Sequence, residues 1–262
     1  MDIHHDQQQI PKKGEFLVKL KGRTCIVTGG ARGIGFETAK TLSEYGADVV
    51  IADVNEEGAL NAAKRIAGGS HGIGVDVSDV SRLEKMMNDV AKRYGKIDVV
   101  VNNAGILQTS KIEDITEEEW NKMVDINLKS AFFVSQKALP YMKKNRFGRI
   151  INISSLAGRN GGFEANCVYA ISKAGMIGMT RNIARRVAPF GITVNAVAPG
   201  TTESEMSRQF SDEAMKKILS VIPMKRLGKP REIAETVAFL ASDKAGFITG
   251  AVIDINGGMF MG

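Results

Sequence analysis

Apolar and polar residues along this chain change rhythm at regular intervals. Short runs at residues 23–28, 48–52, 72–75, 98–101, 149–153, 192–197 and 251–255 are largely apolar and bounded by glycine or polar residues, the signature of strands. Several of them (D-V-V-V, R-I-I-N-I) do not alternate, as burial on both faces requires. Between them the apolar spacing lengthens to that of a helix. Ile34, Thr38, Leu42 and Tyr45 share one face, and Gly46 supplies a stop. The same spacing predicts helices over residues 34–45, 56–66, 80–94, 117–145, 168–188, 203–220 and 230–242. Strand and helix alternate without a linker or a change of composition. The pattern predicts an α/β fold: one domain over residues 21–262, a parallel sheet covered by helices on both faces. Residues 1–20 are polar, contain Pro11-Lys12-Lys13-Gly14, and read as a leader.

The 262 residues suffice for one sizeable core. No apolar run approaches the roughly 20 residues that span a bilayer, and M-D-I-H-H-D-Q-Q-Q lacks the apolar centre of a secretory signal. A cytoplasmic location without membrane contact is expected. Cys25, in the first strand, reads as a small buried thiol, and Cys167 as a neighbour of the candidate site. The net charge of +6 is not gathered into a long Lys/Arg run or interleaved with aromatics, which argues against nucleic acid as a partner. A phosphate-bearing cofactor or an acidic substrate carrier accounts for it equally well.

The turn T-G-G-A-R-G-I-G joins the first strand to the first helix. Gly29, Gly33 and Gly35 there let the backbone approach a dinucleotide pyrophosphate at a positive helix terminus, with Arg32 and Ile34 between them. The spacing is G-x-x-x-G-x-G rather than the commoner G-x-G-x-x-G. Asp53 ends the second strand, where a carboxylate accepts hydrogen bonds from ribose hydroxyls and repels a 2′-phosphate. That favours NAD over NADP, although Arg32, a guanidinium able to meet a phosphate, pulls the other way. Asp76-Val77 after the third strand faces the adenine position, and Asn103-Ala104-Gly105 after the fourth leaves room for the adenosine half. Asn103 also suits a loop capped by its own side chain. Together these features specify a Rossmann-like, doubly wound sheet.

Ser154-Ser155 follows the fifth strand, Tyr169 and Lys173 stand one helical turn apart in Y-A-I-S-K, and Pro199-Gly200 follows the sixth strand. In this order and spacing the motifs resemble the short-chain dehydrogenase/reductase family over residues 22–262, and most nearly its bacterial 3-oxoacyl-[acyl-carrier-protein] reductases. V-A-F-L-A-S-D, I-T-G and N-G-G-M-F-M are the nearest stretches. The resemblance implies that Tyr169 is the acid/base, that Lys173 lowers the phenol's pKa and meets the nicotinamide ribose, and that Ser155 holds the reacting oxygen. It implies that Asn127, in D-I-N-L-K-S, anchors a water in a proton relay, and that Pro199, Gly200, Thr202 and Ser204 contact the cofactor. Ser154 reads as structural. A nucleophilic Ser155 has no base near it, since the histidines are His4, His5 and His71, and no cluster has metal-ligand spacing.

Three departures mark the chain within the family. T-T-E-S-E-M stands where the reductases often read F-I-E-T-D-M, the loop from Ser155 to Tyr169 is one residue longer, and Asp53 differs from the NADPH-using biosynthetic enzymes. Residues 201–222 carry Met206, Phe210, Met215, Ile218, Leu219, Val221 and Ile222, and read equally as a mobile cover over substrate or as an amphipathic helix packed on the sheet. Such a cover suits an acyl, alicyclic or aryl substrate. Lys129, Arg181, Arg185 and Arg186 read as solvated or subunit-bridging, and the resemblance implies a homotetramer. The expected activity is interconversion of a ketone, in a small molecule or an acyl thioester, with its alcohol. A polyol or alicyclic alcohol dehydrogenase is the second reading and a non-catalytic dinucleotide sensor the third, disfavoured by the presence of Tyr169 and Lys173.

Overall fold

A computed structural model describes residues 18–262 except 67, 163, 164 and 206. The strands are β1 (Thr24–Thr28), β2 (Asp48–Asp53), β3 (His71–Gly74), β4 (Val99–Asn102), β5 (Gly148–Ile153), β6 (Ile192–Pro199) and β7 (Val252–Ile255). They form one parallel seven-stranded sheet in the order β3-β2-β1-β4-β5-β6-β7. The order reverses between β1 and β4, which opens a crevice at the carboxyl ends of those strands. The helices are α1 (Gly33–Glu44), α2 (Glu56–Arg65), α3 (Val80–Tyr94), α4 (Glu117–Val124), α5 (Ser130–Asn145), α6 (Ala157–Asn160), α7 (Cys167–Val187), α8 (Asp212–Val221) and α9 (Pro230–Ala241).

The strand apolarity sorts the two faces. Cys25, Val27, Val49, Ile51, Val99 and Val101 enter one core with Leu42 of α1, Ala59 of α2 and Val237 of α9. Ile26, Val50, Val100 and Ile150 enter the other with Leu83 of α3, Val134 of α5 and Ala184 of α7. Period-two alternation therefore survives inside strands that look uniformly apolar, because both faces are covered. Gly95 ends α3 with φ 77, a left-handed conformation that costs glycine little.

Three sequence expectations change. Residues 1–17, most of the expected leader, lie outside the described residues, whereas Leu20 is buried in the core and donates its amide to the Tyr45 carbonyl. The long helix over 117–145 is interrupted by a π-helical segment, Asp125–Lys129. The helix over 203–220 begins only at Asp212. The hydroxyls of Ser204 and Ser207 bond backbone amides of the turn before it, and Ser211 caps α8 through the Ala214 amide at 3.2 Å. Serines compete with a helix for its own backbone groups, which is why the register broke there. Met206 of the expected cover lies outside the described residues.

Candidate functional site

The carboxyl ends of β1, β2, β4, β5 and β6 converge on one crevice, so every loop that leaves them meets there. Its larger part is a cleft of about 730 Å³ lined by Gly29, Arg32, Gly33, Ile34, Gly35, Asp53, Asp76, Val77, Asn103, Ala104 and Gly105. A cavity of about 190 Å³ adjoins it, sharing Ile34, Asn103, Gly105, Leu107 and Ser204 with the cleft, and holds Ser155, Tyr169, Lys173, Pro199, Gly200 and Thr202. The expected cofactor and catalytic residues are thereby brought together, Asn127 apart, which lines neither space.

At the glycine turn, Gly29 and Gly33 have φ 61 and φ 56. A Cβ at Gly35 would come 2.2 Å from the Gly29 carbonyl oxygen, so only glycine fits. Helix α1 has Arg32 at its N-cap position with no side-chain cap and no acid in its first turn, whereas Asn55, Asp79, Thr116, Asn166 and Ser211 cap α2, α3, α4, α7 and α8. The first amides of α1 thus open on the cleft as donors for an anion. This arrangement fits a dinucleotide pyrophosphate. Arg32 pairs with Glu205 across the mouth of the cleft. Asp53 accepts the Ala31 amide and the Asn55 amide, each at 3.1 Å, one on each carboxylate oxygen. Asp76 accepts from the Ser78 amide and hydroxyl through a single oxygen. The Asn103 carboxamide donates to the Thr28 carbonyl at 3.0 Å and the Gly29 carbonyl at 2.9 Å, so that side chain braces the glycine turn, as the capped-loop alternative had it.

In the smaller cavity, Tyr169 lies in the first turn of α7, fixed by the Asn166 side chain, which accepts the Tyr169 amide at 3.0 Å. Burial pushes its phenol above the ordinary value, and a hydrogen bond with Ser155 draws it back. Burial also lowers the Lys173 ammonium to about 8. Lys173 does share a face with Tyr169, its Nζ 5.8 Å from the ring centroid, but it donates to the Ile153 carbonyl at 2.8 Å. The expected net lowering of the phenol's pKa is therefore corrected in direction. Desolvation dominates and raises that pKa, and the group that lowers it is Ser155.

Ser155 Oγ accepts the Ala157 amide at 3.1 Å and opens α6. Ser154 donates to the Lys173 carbonyl at 2.8 Å, the structural role expected of it. Asn127 is fully buried in the π-helical segment. Its carboxamide accepts the Ile106 amide at 2.8 Å and donates to the Ile106 carbonyl at 2.9 Å and to Ser172 at 3.2 Å. That side chain is thus occupied in holding a loop. A Cβ at Gly105 would lie 3.3 Å from Asn127 Oδ1 and 3.4 Å from Lys173 Nζ, so the three residues are close packed. Thr202 donates to the Gly200 carbonyl at 3.0 Å.

Phe210 and Ile218 of the expected cover line the cavity, and so do Leu107, Leu156, Ala165 and Met259, which spacing in the sequence did not single out. Met259 belongs to N-G-G-M-F-M, legible only as a family stretch. Cys167 does not line the cavity, and Cys25 is buried as expected, its thiol pushed up mainly by desolvation. Lys129 pairs with Asp125 at 2.8 Å and Arg186 bonds Asn182 at 3.0 Å, both along their own helices. Among the described residues no group of three or more His, Cys, Asp or Glu could hold a metal ion. No described helix is long and apolar enough to cross a membrane.

A doubly wound parallel sheet with a glycine turn at its switch point and a Ser–Tyr–Lys cavity beside it defines a dinucleotide-type oxidoreductase. The chain belongs to the short-chain dehydrogenase/reductase family. The model of the enoyl-(acyl carrier protein) reductase family matches residues 29–260. The 3-oxoacyl-[acyl-carrier-protein] reductase FabG of Escherichia coli (strain K12) is 42% identical over 245 residues, 93% of this chain and 100% of the relative. Its counterpart from Staphylococcus aureus (strain Mu50) is 43% identical over 247 residues, covering 91% and 98%. The solved structure of gox2181 superposes with a TM-score of 0.90 at 34% identity, covering 92% of this chain and 96% of that one. The chain is therefore an oxidoreductase acting on a CH–OH or keto group.

Proposed function

We propose that the protein is an NAD(H)-dependent reductase/dehydrogenase for a secondary alcohol and its ketone, with a 3-oxoacyl thioester within its substrate class. The observation that carries this is the continuity of the two spaces. The cleft with the uncapped α1 terminus and Asp53 opens onto the cavity that holds Ser155, Tyr169 and Lys173. Gly29, Gly33, Gly35 and Ile34 would hold the pyrophosphate, Asp53 the adenosine ribose, and Asp76, Val77, Ala104 and Gly105 the adenine side. Lys173, Pro199, Gly200, Thr202 and Ser204 would hold the nicotinamide side. A bound nicotinamide supplies or accepts the hydride.

The chain's own residues do the rest. The Ser155 hydroxyl donates to the substrate oxygen and orients it toward the phenol. Tyr169 gives that oxygen a proton during reduction and takes one during oxidation. Lys173 of α7, anchored on the Ile153 carbonyl at the end of β5, holds its positive charge beside the phenol and offsets the phenolate as it forms. Leu107, Leu156, Ala165, Phe210, Ile218 and Met259 exclude water and favour an acyl or alicyclic body over a polyol.

The likeness to 3-oxoacyl-[acyl-carrier-protein] reductases supports a ketone substrate but does not favour NAD over NADP; Asp53 carries that preference. The reading includes a cytoplasmic location and a homotetramer built on α5, α7 and β7. Phe132 of α5 and Ile171 of α7, 40% and 46% exposed, support those helices as contact faces. Light scattering on the purified protein tests the assembly, and a monomer would overturn it. Tyr169→Phe tests the activity: turnover of NADH with a ketone panel falls about 10²- to 10⁴-fold while NADH still quenches. Unchanged turnover would remove the acid/base assignment.

A further inference from the structure

We propose that Arg159 is a positioning residue for this site, clasping the turn that carries Ser155 against β7 and against the segment that carries Met259. The inference rests on the reductase reading above. Helix α6 starts immediately after Ser155. Its inner side lies flat on α7, where a Cβ at Gly158 would come 2.7 Å from the Lys173 carbonyl carbon. Its outer side carries Arg159. The guanidinium Nη2 lies 3.2 Å from Asp254 Oδ2 of β7 and donates to the Gly262 carbonyl at 3.0 Å. The same guanidinium sits over the Phe260 ring, 4.6 Å from its centroid. Met259, the neighbour of Phe260, lines the same cavity as Ser155, Leu156 and Ala157. One side chain thus ties the turn that follows Ser155 to the last residues of the chain, next to Met259.

The clasp is largely withdrawn from water, with Arg159 and Asp254 exposed by 14% and 19%. Arg159 Nε and Asp254 Oδ1 are buried without partners. An apolar pair of similar shape would fill this place without two unmatched polar atoms, so stability is a poor reason for the charge here. A planar guanidinium that lies over a ring while its Nη2 meets both a carboxylate and a carbonyl fixes direction, which is what Ser155 needs. The Ser155 hydroxyl is the group that draws the buried Tyr169 phenol down. A loosened α6 weakens that hydrogen bond.

The test compares Arg159→Ala, Arg159→Lys, Asp254→Asn and Tyr169→Phe in the purified enzyme. The readouts are NADH binding, kcat and KM for a ketone, thermal unfolding, and the pH profile of alcohol oxidation. For Arg159→Ala, kcat falls about ten- to a hundredfold, the loss expected when a reacting group is displaced from a distance. The acid limb of the oxidation profile moves to higher pH, and NADH affinity is unchanged. Arg159→Lys recovers part of kcat, and Asp254→Asn moves both readouts the same way by less, which keeps the question open to measurement if the alanine variant does not fold. An unchanged acid limb in both Arg159→Ala and Asp254→Asn overturns the proposal, and so does a loss of kcat matched by equal loss of NADH affinity. Full turnover by Tyr169→Phe would instead defeat the acid/base assignment of the reductase reading, on which this inference rests. An inactive Tyr169→Phe beside a wild-type-like Arg159→Ala defeats this inference alone.

Discussion

Replacing Asp53 by serine should reverse the preference for cofactor. In the fold Asp53 lines the cleft, and each carboxylate oxygen accepts one backbone amide at 3.1 Å, from Ala31 and from Asn55, which leaves each a second lone pair. A charge-assisted hydrogen bond to a ribose hydroxyl contributes about 1.5–3 kcal/mol. Its loss weakens NADH about ten- to 150-fold. Serine keeps one acceptor for the backbone and removes the charge. A 2′-phosphate near 4 Å from the carboxylate meets a repulsion of about 4 kcal/mol per unit charge pair at an effective dielectric of 20. Solvent and salt at this half-buried strand end reduce that to about 1–2 kcal/mol. Removing it should strengthen NADPH about tenfold, so the ratio of affinities shifts about 10²-fold or more. Fluorescence titration of both cofactors against wild type and Asp53→Ser reads this directly, with thermal unfolding as the check that the turn survives. Tighter NADPH than NADH in the wild type, or an unmoved ratio in the variant, refutes the argument.

Other predictions address the neighbouring groups. Lys173 is protonated below about pH 8 and neutral above it, so kcat/KM for ketone reduction should hold below that pH and decline through it. Lys173→Arg keeps its charge and should push the decline to higher pH at a lower rate; an unmoved alkaline limb argues against the lysine. Ser155→Ala removes the bond that draws the Tyr169 phenol down, so the acid limb of oxidation should move up and kcat fall about 10²- to 10³-fold. A retained limb position, read from the pH profile, would deny Ser155 that influence. Gly35→Ala puts a methyl 2.2 Å from the Gly29 carbonyl and 2.5 Å from Asn103 Nδ2, both held in place. The turn must move, costing about 1–3 kcal/mol of stability and most of the NADH affinity. Wild-type affinity in that variant would show that the turn does not hold the pyrophosphate.

The parts of this molecule that answer to short-range patterns were legible in the sequence. The seven strands and most helices appear where apolar runs and spacing put them, because local pattern and burial on the two faces agree. Tyr169 and Lys173 were legible as a pair because one turn of a helix fixes their relation. Two breaks were not. Asn127 sits in a run that reads as continuous helix, yet its buried carboxamide must reach the Ile106 backbone, and the helix widens to a π segment around it. Around Ser204 and Ser207 the hydroxyls captured the backbone before a helix could form. Met259 lines a cavity with Ser155, and Arg159 meets Gly262, 103 positions away in sequence, which no local window contains. The direction of the Tyr169 shift was misjudged for a related reason. Sequence spacing reveals the neighbouring charge but not the depth of burial, and burial is the larger effect.

That depth changes how the pair must work. Burial penalises the phenolate of Tyr169 and the ammonium of Lys173 separately, raising one pKa and lowering the other. Each ion alone is costly there, whereas the two formed together compensate part of each other's lost hydration. Losing the Lys173 proton first would leave the phenol harder still to ionise, so the two titrations are coupled. Oxidation needs the phenolate and the ammonium at once; reduction needs the neutral phenol with the ammonium beside it. Oxidation therefore rises as the pair loses its first proton, and reduction, which needs both protons, falls through the same step. Profiles of both directions on one enzyme should therefore cross, the acid limb of oxidation falling at the same pH as the alkaline limb of reduction, and limbs that coincide on both sides would show that the phenol is not the group being titrated.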